Sequence, residues 1–226
     1  MRLLIVSLAA VLSACAANQE KTPDAGRIEQ AARPSGFETQ DAQYKALVEA
    51  IKAGQSGVFD DIRRAYVKTS HYAPYFGPEM GLLRSMRTSI DQQDWSACVE
   101  HGEALLDTNY INLDAHYGSM VCHGEQGHIT ESEHHKYVLT GLIRAIWSTG
   151  DGRSPETAFF STSTPELKAF LRLNGFEPIS QALSHDGGKS YDIMKVKDRQ
   201  TREELTLFFD ITTQWQKLQA NKKLDL

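Results

Sequence analysis

From Asp41 to Thr149 apolar residues recur at three- and four-residue spacing, and after Gly150-Asp151-Gly152 the period drops to two. That switch restricts the chain to a helical block followed by a small sheet. Tyr44, Leu47, Val48 and Ile51 form the stripe of a first helix, ended by Gly54 and Gly57, and a second short helix fits Phe59 to Val67. Two prolines and a glycine then break the pattern across Ser70 to Pro78. The rings of this loop, Tyr72, Tyr75 and Phe76, either fasten it to the core or cap a sugar or peptide, and fastening is the commoner use. Four helices follow near 79–92, 95–107, 112–126 and 130–148, separated by breaks at Gln92-Gln93-Asp94, Asp107-Thr108-Asn109 and Gly127-His128. Amphipathic helices on such short connections pair antiparallel.

The helical block also repeats. Asp94-Trp95 with Leu105 returns as His128-Ile129 with Leu139, a period of about 34 residues. Ala115-His116-Tyr117-Gly118 followed by Gly127 resembles the small-residue pattern of tetratricopeptide hairpins. Two such repeats are fewer than a free-standing solenoid needs, so the first two helices and the C-terminal part are expected to complete the core.

Beyond the glycine turn, Thr157 to Thr162 reads as a strand and Pro165 to Asn174 as a helix started by Thr164 and stopped by Gly175. Pro178 to Ser184 is a second strand, joined through the turn Asp186-Gly187-Gly188 to Ser190–Val196. Glu204 to Ile211 adds a further strand and Thr213 to Ala220 a last helix. The expected class is α+β: tetratricopeptide-like hairpins covering one face of a sheet of about four strands with two helices of its own. The segments are 1–14 signal, 15–40 tether, 41–150 helical region and 151–226 α/β region.

The first of these rests on Arg2 and the apolar run Leu3 to Val11, the n- and h-regions of a secretory signal. The run falls short of the roughly 20 residues needed to span a bilayer. Leu12-Ser13-Ala14-Cys15 resembles a lipobox: an aliphatic residue, two small ones that enter a peptidase cleft, and a thiol to be alkylated. The resemblance implies cleavage before Cys15 and palmitate-type acyl chains on it. The competing reading is an ordinary secretory cut after Ala14 or Ala17. One chain anchors only marginally at about 0.8 kcal/mol per methylene, so stable attachment takes the two or three chains such cysteines carry. Ala16, in place of Asp, favours the outer membrane, facing the periplasm, if the host is a diderm bacterium. Ala16 to Gln40 is polar, holds Pro23, Gly26, Pro34 and Gly36, and lacks periodicity. Such a tether would span roughly 25–30 Å as a flexible coil.

Cleavage removes Arg2 from 24 basic residues, leaving 23 against 29 acidic ones, a net charge of −6. That balance argues against a nucleic-acid partner. Cys98 and Cys122 are then an even pair for an oxidising compartment. Each stands about twelve residues from a turn near Tyr110, hence at nearly equal height on paired helices, as a disulfide needs; two buried free thiols are the other reading.

His116, His123, His128, His134 and His135 invite a metal reading, but no His-x-x-x-His pair and no zincin motif joins them. A zinc or copper site needs three or four converging ligands, so no metal and no cofactor is expected. Asp151, Arg153 and Glu156, on a tight turn where the two parts join, form the one cleft-like candidate; its plain reading is a helix stop. Ser154 and Ser161 lack a Gly-x-Ser-x-Gly elbow, and no catalytic residue is assigned.

Gly150 to Phe159, with Ser190-Tyr191-Asp192 and Leu207-Phe208-Phe209-Asp210, is similar to a family of bacterial exported proteins, domain of unknown function 4919, over roughly Tyr44 to Trp215. The family pattern continues the Phe159 strand into an aliphatic and acidic segment, where this chain has Ser161-Thr162-Ser163-Thr164-Pro165. The resemblance implies the domain layout and carries no activity. The function expected is a membrane-anchored, non-enzymatic module that binds a protein or envelope partner. The alternative is an envelope hydrolase or small-ligand binder built around Asp151, Arg153 and Glu156.

Overall fold

A computed structural model describes residues 40–75, 77 and 79–224. Cys15, the signal segment, the tether before Gln40, and Phe76 of the aromatic loop lie outside the described residues. The helices of the first part are α1 (Gln40–Lys52), α2 (Phe59–Tyr66), α3 (Glu79–Asp91), α4 (Trp95–Thr108), α5 (Leu113–Glu125) and α6 (Ile129–Trp147). Among the described residues no helix is long and apolar enough to cross a membrane.

The starts of α4 and α5, at the first break and just past the second, have a capping reason. The Asp94 carboxylate accepts from the Ala97 amide at 3.1 Å and the Asn112 side chain from that of Ala115 at 3.0 Å, each satisfying an N–H that the first helical turn leaves free. α3 and α5 begin at Glu79 and Leu113, and α4 and α6 at Trp95 and Ile129, so both starts recur after 34 residues. Successive helices from α3 to α6 pack on one another, and α3 also meets α5, the adjacency of tandem helical hairpins. Small residues permit the approach: a Cβ on Gly118 would collide with Met86 of α3, and one on Gly141 with the Phe59 ring of α2. Cys98 on α4 and Cys122 on α5 are fully buried, with Cα atoms 6.2 Å apart and sulfurs at disulfide distance, 2.03 Å.

The second part holds β1 (Phe159–Phe160), α7 (Thr164–Leu173), β2 (Phe176–Asp186), β3 (Lys189–Asp198), β4 (Glu204–Asp210) and α8 (Thr212–Leu224). The sheet order is β1-β4-β3-β2, antiparallel except for the parallel β1–β4 pair. Two elements differ from the sequence reading. The strand expected over Thr157–Thr162 shrinks to two residues, because the Thr157 carbonyl accepts from Gly152 to close the preceding turn and Ser163 is already a helix cap. That cap replaces Thr164, its side chain accepting from the Glu166 amide at 3.1 Å. The hairpin at Gly187-Gly188 has φ of 55° and 79°, values that glycine adopts without strain. It extends β2 and β3 to longer strands than the periodicity marks.

Phe159, Phe209, Leu207, Met194 and Val196 share one buried sheet face. α7 lies on it, with Phe170 5.3 Å from Phe159 and 6.0 Å from Phe209 between ring centroids. α5 backs α7, and Trp147 of α6 closes the aromatic cluster at 5.0 Å from Phe159. The helical layer thus reaches the sheet mainly through α7. A buried ion pair fixes the join. Arg63 of α2 donates from Nε and Nη2 to the two Glu166 oxygens, both at 3.0 Å, and from Nη2 to the Phe160 carbonyl at 2.6 Å. Glu166 also accepts from the Thr162 amide at 2.7 Å, and the side chains are 0% and 5% exposed. The fork-to-fork geometry leaves little of either charge unanswered in a medium where an unpaired ion is costly.

Candidate ligand groove

α1 packs chiefly on α2 and stands off the hairpins. The space left beside α4 and α6 is a groove of about 690 Å³. One wall is the α1 stripe Asp41, Tyr44, Lys45, Val48, Glu49 and Lys52; the other holds Glu103, Leu106 and Asp107 of α4, with His134 and His135 of α6. Helical spacing makes this division: positions three, four, seven and eight apart share a face. Tyr44, Val48, Leu106 and Tyr110 are buried and form an apolar floor, while Lys45, Glu49, Lys52, Glu103 and Asp107 are exposed on the rims. The Tyr110 amide donates to the Tyr44 hydroxyl at 2.9 Å and so ties α1 to the α4–α5 turn. The size is that of a small-molecule or short-peptide site.

Several rim charges are already engaged. Asp41 accepts from the Ser70 amide and hydroxyl at 2.8 and 2.7 Å, and those bonds hold its carboxyl below the usual range. Lys52 pairs with Glu49 at 3.4 Å and lies 5.6 Å over the Tyr110 ring.

Behind the α6 rim the histidines form a row. His116, fully buried, has Nε2 2.7 Å from the Tyr110 carbonyl. A carbonyl only accepts, so Nε2 carries the hydrogen, and Nδ1 is left to accept from His135 Nδ1–H at 3.0 Å. His135 stacks on His123 at 5.4 Å, His123 Nδ1 lies 3.5 Å from His128 Nδ1, and His134 lies 3.2 Å from the Tyr110 hydroxyl. Burial first, then the neighbouring rings, pushes His116 down to about 3 and His135 down to about 4. Burial and then Lys52 lower His134. His116 and His135 are therefore neutral at physiological pH. Among the described residues no group of three or more His, Cys, Asp or Glu is arranged to hold a metal ion.

The turn singled out in the sequence is occupied by its own hydrogen bonds. One Asp151 oxygen accepts from the Thr157 hydroxyl at 2.6 Å and the Arg153 amide at 2.9 Å, and those bonds, the hydroxyl first, lower its pKa. Asp151, Arg153 and Glu156 are all exposed, and none lines the groove. In the aromatic loop, buried Tyr72 donates to the Thr162 carbonyl at 2.7 Å, so this ring fastens the loop. Asp192, from the Ser190-Tyr191-Asp192 motif, is buried on the covered sheet face, and desolvation raises its pKa.

The groove itself escaped sequence reading, since it joins residues 41–52 with 103–110 and 134–135. The seven-residue spacing of His116 and His123 puts both on one helix face, but they belong to the row behind the groove and do not line it.

The family model DUF4919, described as a domain of unknown function, matches residues 59–220. No curated protein and no solved structure matches the chain.

Proposed function

The chain belongs to the DUF4919 family, and we propose that it is a membrane-anchored envelope lipoprotein whose folded domain is a non-enzymatic interaction module, holding a segment of a protein partner in the α1/α4 groove. The observation that carries this reading is the groove itself: an apolar floor, charged rims and an open side, built on tandem hairpins. Helical grooves of this kind take up peptide segments by burying a few apolar anchors while rim charges choose the partner. The lipobox at Cys15 and the polar stretch after it support an anchored domain able to reach partners near the membrane. The reading as a hydrolase at Asp151 gains nothing from the turn's geometry, because the carboxylate is spent on the turn.

Two measurements test the two halves. Cys15→Ser abolishes fatty-acid labelling and releases the protein from membranes; persistent labelling refutes the anchor. Cross-linking pull-down from intact envelope recovers a partner with the wild type and with Glu203→Trp, an exposed site off the groove, but not with Lys45→Trp, which fills the groove from its exposed rim. Equal recovery with all three refutes the groove.

A further inference from the structure

We propose that the segment taken up by the groove is cationic, its lysine or arginine side chains lying along α4 against Glu103 and Asp107; the inference rests on the groove reading above. These two carboxylates are one helical turn apart on one face, exposed, and engaged in no described ion pair or hydrogen bond. The other two acids of the groove are spent, Asp41 on Ser70 and Glu49 on Lys52. The α4 wall thus carries unanswered negative charge, at a spacing of roughly 6 Å that one guanidinium or ammonium can bridge.

Glu103 acts electrostatically on His123 of α5, but burial holds that imidazole's pKa below its usual value, so it does not neutralise the wall. His134 and His135, which continue it on α6, are kept uncharged by burial. The unspent cation of the groove is Lys45, on the opposite wall. An acidic segment along α4 would set like charges together, at a cost that discriminates against it.

The floor shows how a long basic side chain is received. The chain's own Lys52 lays its ammonium 5.6 Å from the centre of the Tyr110 ring while its charge meets Glu49. A partner lysine or arginine has the same pair of contacts on offer: aliphatic stem over Tyr44, Leu106 and Tyr110, charged head on Glu103 and Asp107. The groove is therefore selective for a segment alternating basic and apolar residues.

The test uses the full acylated chain in neutral detergent and three fluorescent twelve-residue peptides in which leucine alternates with arginine, glutamine or glutamate. Fluorescence anisotropy is expected to show saturable binding of the arginine peptide. Glu103→Gln/Asp107→Gln weakens it tenfold or more, whereas Asp61→Asn/Glu203→Gln, which removes two exposed carboxylates off the groove, changes it less than twofold. Thermal melts matching the wild type verify both folds, and raising the salt weakens the wild-type complex without needing any variant. No binding, equal weakening by the two double variants, or equally tight binding of the glutamine peptide overturns the proposal. Failure of the peptide test alongside a pull-down that still depends on Lys45 removes the charge assignment alone; loss of that dependence removes the groove.

Discussion

Replacing Glu166 by leucine is the perturbation whose effect follows most directly from the structure. The substitution strips three charge-assisted bonds from one carboxylate: two from the Arg63 guanidinium and one from the Thr162 amide. Arg63 is 0% exposed, so its charge stays inside with the Phe160 carbonyl and a long contact to the Ala145 carbonyl at 3.5 Å. Breaking a buried pair from one side costs roughly 3–5 kcal/mol, because the survivor is left uncompensated. For a domain of this size each kcal/mol lowers Tm by roughly 2–4 °C, so the expected fall is about 6–20 °C. Thermal unfolding followed by circular dichroism measures that fall, and urea unfolding the loss in free energy. Arg63→Met/Glu166→Leu, which removes both charges, recovers most of the loss, since the attraction of such a pair is largely offset by its own desolvation. A loss below about 1 kcal/mol in the single variant, or a double variant worse than the sum of the singles, refutes the claim that this pair is desolvated and mutually dependent.

Cys98 and Cys122 are 24 residues apart, so Cys98→Ala/Cys122→Ala is expected to lose roughly 3 kcal/mol as the unfolded chain regains its loop entropy. Non-reducing mass spectrometry of envelope protein should show the two joined; two alkylatable thiols reject the bridge. His116 and His135 have folded pKa values below the 6.5 of the unfolded chain. The unfolded state therefore binds more protons, and their contribution is complete above pH 6.5 and lost as pH falls toward 4. Each contributes up to about 1.4 kcal/mol per pH unit in that window, so urea midpoints flat between pH 6.5 and 5 would contradict their burial as neutral groups.

Local rules located most of the elements because their signals are local. The stripe Tyr44–Ile51 is α1, Asp94 at the first break is a cap, Asn112 at the expected start of the next helix is another, and the repeat is visible because α3–α6 are two copies of one hairpin. β1 misled, since Thr157 looks β-prone yet belongs to a turn closed by Gly152. Ser163 and Thr164 are both good caps, and only the observed bond to Glu166 chooses between them. What stayed illegible is long-range. Arg63 meets Glu166 across 103 residues, and the groove walls are drawn from three separated helices. The adjacent histidines do diverge as neighbours on a helix must, His134 to Tyr110 and His135 to His116. That His116, His123, His128 and His135 nevertheless join in one row depends on the register of α5 against α6, which periodicity leaves free.

Photo-crosslinking in living cells tests the central claim, a partner held in the α1/α4 groove, most directly. A lysine analogue carrying a small diazirine, which leaves the groove open as tryptophan at position 45 does not, is placed in turn at Lys45 and Lys52 on the groove rim, sparing Glu103 and Asp107, and at Ile129 and Glu203, both exposed and off the groove. The same discrete adduct from Lys45 and Lys52, absent from Ile129 and Glu203, is the predicted result. Adducts of equal yield from all four positions, or none from the rim, would contradict it.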